Sequence, residues 1–296
     1  MVDELSGGNP GWRHVMMALA LRRYPLLSGA GTVANHRWVR RFAGRPGCSL
    51  AWANGPGGPM LVPLDDWVGR SVFFAGDLDP KVSAVCRRLV RPGDACLDIG
   101  ANIGLVTLLL ARLAGSAGWV HAVEPNPANL DLLRHSLARL PVANVTLHAV
   151  ALGADAGTCT LAVPAGNRGA ASLVPGRIAA PVASVNVPVL ALDELPGIHE
   201  RKLRLMKLDV EGFEAQVLAG ADRLLRTQPP QAILFEHNDG TPPAASPIVA
   251  RLRAAGYRIL ALPRRCWRLA LVDLADQGVV GANDFLAVQP GVELAS

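Results

Sequence analysis

From residue 89 onward, short apolar runs alternate with longer segments of helical periodicity. Seven apolar runs predict strands, at residues 95–99, 119–123, 145–152, 203–208, 232–235, 257–262 and 284–288. Helices are predicted at residues 103–113, 127–140, 213–225 and 247–255. Strands that alternate with helices of this length form βαβ units, because a parallel strand pair needs a crossover connection. The pattern therefore predicts an α/β fold around a mostly parallel, seven-stranded sheet.

Residues 1–88 carry no clean period. A helix is predicted at residues 12–23, a Gly/Pro turn at 54–59, and short strands at 60–62 and 71–74. We interpret residues 1–88 as an N-terminal cap or extension that selects the substrate, and residues 89–296 as the main domain. Within the main domain, residues 153–190 look like an insertion, with strand-like alternation at 158–163 and 185–190.

The composition excludes several classes of protein. A chain of 296 residues with 50% hydrophobic and 18% charged side chains can bury a large core. Its apolar runs are shorter than the ~18 residues of a membrane span. The apolar stretch at residues 15–21 is followed by Arg22 and Arg23 and by no small-residue cleavage site, unlike a secretory signal. The five cysteines form no C-x-x-C pair, so we expect free thiols and a cytoplasmic location.

The net charge of +5 and the pI of about 9.3 raise the question of a nucleic-acid partner. Only three of the 29 basic residues are lysines, however, and the arginines occur in scattered pairs without interleaved aromatic residues. We therefore expect no nucleic-acid partner.

The strongest local motif runs from Leu97 to Gly104 and reads LDIGANIG. Gly100 and Gly104 straddle a predicted strand-to-helix turn, where small residues let a ligand approach the backbone at the helix N-terminus. Glu124 ends the next predicted strand. A carboxylate at that position can accept hydrogen bonds from both ribose hydroxyls of a nucleoside.

The motif departs from the G-x-G-x-x-G fingerprint of dinucleotide-binding proteins. Asp98 places a carboxylate before the turn, where it would repel a pyrophosphate but attract a cationic amino-acid group. This favours S-adenosylmethionine, which carries an ammonium and a sulfonium, over NAD. We expect Asp98 and Glu124 to hold opposite portions of that nucleoside.

Three blocks in order resemble the FkbM-family methyltransferases. They are residues 98–104 (DIGANIG), 123–127 (VEPNP) and 207–214 (KLDVEGFE), and the resemblance covers about residues 89–240. It implies the Rossmann-like class I methyltransferase fold and S-adenosyl-L-methionine as cofactor. It also implies methylation of a hydroxyl on a sugar or a natural product.

The resemblance also implies roles for individual residues. Asp98, Gly100 and Asn102 would line the methionine and ribose part of the cofactor, and Glu124 would hold the ribose. Beside the adenine we expect Pro125, Asn126 and the backbone of Ala151.

Catalytic candidates lie at the predicted carboxyl ends of two further strands. Asp209 and Glu211 follow the strand at 203–208, and His237 follows the strand at 232–235. His237 is the expected base, because the ordinary pKa of histidine suits proton acceptance near neutrality; Glu236 or Asp239 would orient it. Asp209 would also contact the cofactor. Asp209, Glu211, His237 and Asp239 have no recognisable metal-ligand spacing, so we expect metal-free chemistry.

The sequence thus predicts an S-adenosylmethionine-dependent O-methyltransferase that acts on a small-molecule hydroxyl in natural-product biosynthesis. Two alternatives stay open: an N-methyltransferase on a small-molecule amine, and a non-catalytic module that binds the cofactor. The sequence does not determine the oligomeric state, and a homodimer is one of the options.

Overall fold

The computed structural model describes residues 7–23, 26–141, 143–237, 241–275 and 281–293. Within these ranges, no helix is both long enough and apolar enough to cross a membrane.

The described chain alternates helices and strands along most of its length. The helices are α1 (Trp12–Leu21), α2 (Ala30–Ala34), α3 (Arg37–Ala43), α4 (Trp67–Ala75), α5 (Pro80–Leu89), α6 (Leu105–Ala114), α7 (Pro127–Leu137), α8 (Glu214–Ala219), α9 (Asp222–Thr227) and α10 (Pro247–Ala254). The strands are β1 (Leu50–Gly55), β2 (Gly58–Pro63), β3 (Ala95–Ile99), β4 (Trp119–Val123), β5 (Val145–His148), β6 (Ala151–Gly153), β7 (Gly157–Val163), β8 (Ala183–Ala191), β9 (Leu203–Leu208), β10 (Ala232–Glu236), β11 (Arg258–Leu262), β12 (Val272–Asp273) and β13 (Asp284–Val288).

The main sheet has the strand order β12-β11-β13-β10-β9-β3-β4-β5. β13 runs antiparallel to both of its neighbours, and β12 is antiparallel to β11. The remaining four pairs are parallel. The predicted α/β fold with a mostly parallel sheet is confirmed; β12, a two-residue edge strand, is the eighth strand that the sequence pattern did not indicate.

Residues 145–152, predicted as one strand, form two strands in different sheets. β5 ends at His148 beside β4, whereas β6 pairs in parallel with β8 in a separate sheet of order β6-β8-β7. A continuous apolar run shows that a segment is buried but does not show which sheet receives it. The insertion therefore begins within the predicted strand, and its predicted strands at 158–163 and 185–190 are present as β7 and β8.

Two other elements differ from the predictions. The strand predicted at 71–74 lies inside helix α4, whose N-terminus is capped by Asp66 through the backbone N–H groups of Val68 and Gly69. The helix predicted at 213–225 is broken at Gly220 into α8 and α9. A Cβ at Gly220 would lie 2.1 Å from the carbonyl oxygen of Gly153, so the helix approaches β6 too closely for a side chain there.

The central strands end level with one another. Ile99 at the end of β3 pairs with Val123 of β4 and with Leu208 of β9, and Leu208 pairs in turn with Phe235 of β10. The residues that follow these four positions therefore meet at one edge of the sheet, where open α/β sheets bind ligands.

The N-terminal residues pack directly onto this sheet's helices. One core cluster joins Met60, Leu61 and Phe74 to Ile103 and Leu108 of the α6 region. The proposed boundary near residue 88 thus crosses a continuous hydrophobic core, and the division into two domains stays a prediction.

Candidate functional site

A cavity of about 410 Å³ opens at the carboxyl edge of the sheet. This volume is within the usual range of small-molecule sites. The cavity is lined by seven carboxylate side chains and four basic ones. The acids are Asp77, Asp79, Glu124, Asp209, Glu211, Glu236 and Asp284, and the bases are Lys81, Arg168, Lys207 and Arg264.

One wall of the cavity is the glycine turn between β3 and α6. The backbone N–H groups of Gly100 and Ala101 both donate to the carbonyl of Val123, at 3.0 Å each, so the turn is bound to the end of β4. Gly100 has a φ of 78°, and a Cβ there would lie 1.8 Å from the carbonyl oxygen of Asp209. Only glycine satisfies both conditions, as the sequence motif predicted.

Glu124 lies at the end of β4 and faces the cavity. One carboxylate oxygen accepts from the backbone N–H of Asn102 at 2.7 Å, and the other accepts from the N–H of Asn126 at 2.8 Å. Burial raises the pKa of Glu124 to about 7, although these hydrogen bonds oppose the rise. The glycine turn therefore fixes the orientation of this carboxylate, and carboxylate lone pairs remain for a ligand.

Among the residues that the structure describes, two other than glycine have left-handed backbones, and both line the cavity. They are Asn102, with a φ of 51°, and Glu211, with a φ of 54°. Such conformations cost free energy and concentrate at functional sites. Both were candidates from the sequence.

Asp98 does not line the cavity; it is fully buried behind the cavity wall. Its Oδ2 accepts from the hydroxyl of Thr107 at 2.6 Å, and its Oδ1 lies 3.4 Å from the Nζ of Lys207. This placement does not favour the expectation that Asp98 directly holds the cofactor. Lys207 also donates to the carbonyl of Gly100 at 3.1 Å, and lies 3.3 Å from Asp209.

The other predicted cofactor residues divide into two groups. Gly100, Asn102, Glu124, Pro125, Ala151 and Asp209 line the cavity. Asn126 and Gly104 do not: Asn126 is the N-cap of α7 and accepts from the N–H of Ala128, and Gly104 is the N-cap of α6. Both residues thus begin helices, where an N-cap residue satisfies or allows the first turn, and their expected contacts with the cofactor stay predictions.

A second wall is formed by three carboxylates at the ends of β9 and β10. Asp209, Glu211 and Glu236 each offer an oxygen atom, and these atoms lie within 4.8 Å of one another. Burial and the charge of Asp209 raise the pKa of Glu211 to about 7. Burial and the charges of Asp209, Asp284 and Glu211 raise the pKa of Glu236 to about 8. At neutral pH, Glu211 and Glu236 are therefore partly protonated, whereas isolated carboxylates would be ionised.

His237 does not line this cavity, so the geometry does not favour its assignment as the base. Glu236 lines this cavity and also borders a smaller one together with His237. The His237 ring contacts the carbonyl of Thr241 at 3.1 Å and the hydroxyl of Ser246 at 3.4 Å, beside a separate small cavity. Asp239, the other candidate to orient it, lies outside the described residues.

The roof of the cavity joins the N-terminal segment to the insertion. Asp66 caps α4 with one carboxylate oxygen and accepts from the backbone N–H of Arg168 with the other, at 2.6 Å. Trp67 donates through its N–H to the carbonyl of Gly166 at 2.8 Å. Sequence reasoning did not predict these contacts, because the two segments are about 100 positions apart.

Glu236 and Lys81 were also missed as lining residues. Lys81 forms ion pairs with Asp79 and with Asp284, the latter at 2.7 Å. The sequence contained a signal for Glu236, because neighbouring side chains of a strand point to opposite faces and Glu236 directly precedes His237.

Comparisons with known proteins agree on the chemistry of this region. Residues 98–259 match the family model described as Methyltransferase FkbM domain. The chain is 29% identical to the 31-O-demethyl-FK506 methyltransferase FkbM of Streptomyces tacrolimicus, over 58% of this chain and 75% of that protein. It is 38% identical to the protein-L-isoaspartate O-methyltransferase of Methanocella arvoryzae, over 22% of this chain and 35% of that protein. The chain thus spans about a third of the length of the Methanocella relative.

Among solved structures, a SAM-dependent O-methyltransferase from Thermotoga maritima matches with a TM-score of 0.40 and 17% identity. The match covers 71% of this chain and 65% of that one.

Proposed function

The chain belongs to the FkbM methyltransferase family, and from this premise we propose that it methylates a hydroxyl group on a sugar or secondary metabolite. Its methyl donor is S-adenosyl-L-methionine. The hydroxyl acceptor is supported by the Streptomyces relative, which is a methyltransferase for 31-O-demethyl-FK506. The observation that carries the proposal is the cavity, in which Glu124 faces the carboxylates of Asp209, Glu211 and Glu236.

The residues of the cavity fit this cofactor. The cavity has more acidic than basic side chains, and a ligand that carries a sulfonium and an ammonium would favour the ionised forms of Glu124, Glu211 and Glu236, whose pKa values are raised. The same lining disfavours a pyrophosphate. Glu124 would accept hydrogen bonds from the ribose hydroxyls, and Pro125 and the backbone at Ala151 would contact the adenine. Asp209 and the backbone at Gly100 would meet the methionine end. We assign Asp98 the role of positioning Lys207, not of contacting the cofactor.

When bound, the cofactor supplies an electrophilic methyl group on a positive sulfur. The protein's own residues must hold the acceptor oxygen in line with that group and remove its proton. Glu236 is the proposed proton acceptor, because it faces the cavity and its raised pKa of about 8 makes it a stronger base than an ordinary carboxylate. Asp209 and Glu211 are proposed to orient the acceptor beside it.

Calorimetric titration with S-adenosylmethionine tests the cofactor site. Glu124→Gln removes the charge that the ribose hydroxyls would contact, so affinity is expected to fall by roughly 10- to 100-fold. Glu200→Gln, at an exposed position, is the matched control and is expected to bind like the unchanged protein. Equal affinity of both variants would contradict the assignment of Glu124.

Transfer of labelled methyl to a panel of acceptors tests the reaction. We expect Glu236→Gln to lower kcat by roughly 10²- to 10⁴-fold with cofactor affinity retained, the usual loss when a general base is removed. His237→Ala is the comparison variant and is expected to keep most of its turnover. The reverse result would restore His237 as the base.

The same panel separates the alternatives. Labelling of amines but not hydroxyls would indicate an N-methyltransferase, and cofactor binding without any labelling would support a non-catalytic module. Turnover that is lost with a chelator and restored by Mg²⁺ would contradict the prediction of metal-free chemistry, since Asp209, Glu211 and Glu236 are oxygen donors.

A further inference from the structure

The net positive charge of the chain is confined to its N-terminal residues. Residues 1–64 hold seven arginines and two acidic residues, whereas residues 65–296 hold 22 basic and 22 acidic residues. The whole net charge of +5 therefore belongs to the first 64 residues. Between residues 5 and 64 there is no acidic residue at all. Such an asymmetry favours an interaction of this part of the molecule with an anionic partner.

The outward face of α1 is apolar. Four large apolar side chains recur on it at helical spacing and are between 44% and 69% exposed, namely Trp12, Val15, Met16 and Leu19. The inward face of the same helix carries His14 and Ala18, with Met17 and Leu21 partly buried against the core. This helix therefore presents large apolar side chains to solvent as well as to the core, unlike a helix that only covers a core.

Helix α3 packs against α1 and extends the same surface. Trp38 and Phe42, one turn apart, are 64% and 50% exposed. Arg37, Arg40 and Arg41 on the same helix are exposed as well. We call the six apolar side chains of α1 and α3 (Trp12, Val15, Met16, Leu19, Trp38 and Phe42) the N-terminal patch.

A second exposed segment of the same composition lies next to this region. The N–H of Leu27, between α1 and α2, donates to the carbonyl of Cys266 at 2.8 Å. The adjacent Trp267 is 69% exposed, and the neighbouring arginines, Arg264, Arg265 and Arg268, are exposed too. Tryptophan and arginine thus recur together in a segment that is hydrogen-bonded to the connection between α1 and α2.

We propose that the N-terminal patch docks the protein on the surface of a membrane that contains anionic lipids. An amphipathic helix with tryptophan on its apolar face and arginines around it binds in the interfacial layer of a bilayer. Tryptophan prefers that layer, and each arginine near it gains from the negative surface potential. This mode of binding requires no spanning helix, in agreement with the absence of one among the described residues.

A second copy of the chain is a poorer occupant of this surface. In a symmetric dimer the same patch meets itself, so the arginines of α3 would face like charges. An anionic membrane neutralises those arginines as it covers the apolar side chains. Charge complementarity therefore decides between the two occupants.

Docking in this way would place the catalytic cavity close to the membrane. The segment that connects α1 to α3 includes Ser28, Gly29, Gly31 and Thr32, and these residues line the cavity. The proposal concerns binding to lipid and does not depend on the acceptor that the site methylates.

Sedimentation with vesicles tests the proposal. The full chain is mixed with vesicles of phosphatidylcholine alone, or of phosphatidylcholine with about one third phosphatidylglycerol. We expect binding to the anionic vesicles, release at high salt, and at least about tenfold weaker binding of Arg40→Glu/Arg41→Glu. The triple variant Trp12→Ser/Met16→Ser/Leu19→Ser is expected to bind the anionic vesicles at least about tenfold more weakly as well.

Matched controls alter exposed side chains elsewhere. Val182→Ser and Trp119→Ser remove exposed apolar groups in the insertion and at the amino end of β4, and Arg226→Glu/Arg253→Glu reverses two exposed charges on α9 and α10. All three are expected to bind vesicles like the unchanged chain, and all variants should retain its circular dichroism spectrum. The proposal is overturned if both vesicle types bind equally or not at all, or if the controls weaken binding as much as the patch variants. It is also overturned if the apolar triple variant only converts a dimer into a monomer.

Discussion

The buried pair of Asp98 and Lys207 connects the glycine turn to the acidic wall of the cavity. Lys207 contacts Asp98, the carbonyl of Gly100, and Asp209. Burial alone would lower the pKa of Lys207, but the charges of Asp209 and Asp98 raise it above its ordinary value, so the side chain remains a cation. One lysine therefore neutralises two carboxylates and fixes two elements of the site.

Replacing this lysine tests the pair. Lys207→Met leaves the fully buried Asp98 without a counter-charge, and we expect a loss of about 3–5 kcal/mol in the free energy of unfolding in urea. Lys202→Met, at an exposed position, should lose less than about 0.5 kcal/mol. Adding Asp98→Asn to Lys207→Met should recover part of the loss; strictly additive effects would show that the two residues are not coupled.

A second prediction at this scale concerns the pH profile of turnover. The proposed base, Glu236, accepts a proton only when it is ionised, and burial with the nearby acidic charges raises its pKa to about 8. We therefore expect kcat to increase with pH and to level off above about pH 8. A profile already flat from pH 5 would contradict this role, as would an unchanged inflection in the residual activity of Glu236→Gln.

Among the structural elements, the turn between β3 and α6 has the least freedom to vary. Gly100→Ala would place a methyl group 1.8 Å from the Asp209 carbonyl at a φ of 78°. We expect a loss of more than about 3 kcal/mol in stability, together with loss of cofactor binding. Gly115→Ala is the matched control: its φ is 64° and no atom lies within 4 Å of the added Cβ. It should cost about 1 kcal/mol and leave binding intact. Thermal unfolding and calorimetric titration measure both effects.

The strands β4 and β5 are joined by a pair of histidine side chains. Nδ1 of His121 and Nε2 of His148 lie 3.0 Å apart, so one nitrogen donates and the other accepts, and the accepting ring must be neutral. Burial and the proximity of His121 lower the pKa of His148 to about 4, and burial also lowers the pKa of His121.

The sign of the resulting pH dependence follows from these lowered values. Between about pH 6.5 and pH 4 the unfolded chain binds more protons than the folded one, so the contribution of His148 to stability decreases as the pH falls. We expect His148→Gln to flatten this part of the curve of unfolding midpoint against pH. A variant curve parallel to that of the unchanged protein would show that the pair does not titrate in this way.

For the whole molecule, the cap and the catalytic region share one core. Besides the apolar cluster, the N–H of Leu61 donates to the buried hydroxyl of Ser136 at 3.0 Å. A Cβ at Gly57 would lie 2.3 Å from the backbone of Leu108, so the β1–β2 hairpin sits directly on α6. We expect residues 89–296, expressed alone, to aggregate or to unfold without a cooperative transition in circular dichroism. Cooperative unfolding with cofactor affinity within tenfold of the full chain would support two separate domains.

The sequence alone determined the elements that depend on local pattern. The strands 95–99, 119–123, 203–208 and 284–288 have the predicted bounds, because each is a short apolar run between turn residues. The sequence also singled out Gly100, Asn102 and Glu124, which line the cavity. A glycine turn followed by an acid at the end of the next strand is a pattern that can be recognised within one short stretch of sequence.

Tertiary structure decided the rest, because the deciding contacts join distant segments. Asp98 and Asp209 are both aspartates of the sequence motifs, yet Asp98 is fully buried beside Lys207 while Asp209 lines the cavity. The choice between Glu236 and His237 as the proposed proton acceptor depended on which of the two side chains lines the cavity. The contact of Asp66 with Arg168 and the exposed face of α1 likewise depend on packing between remote residues, which no local periodicity records.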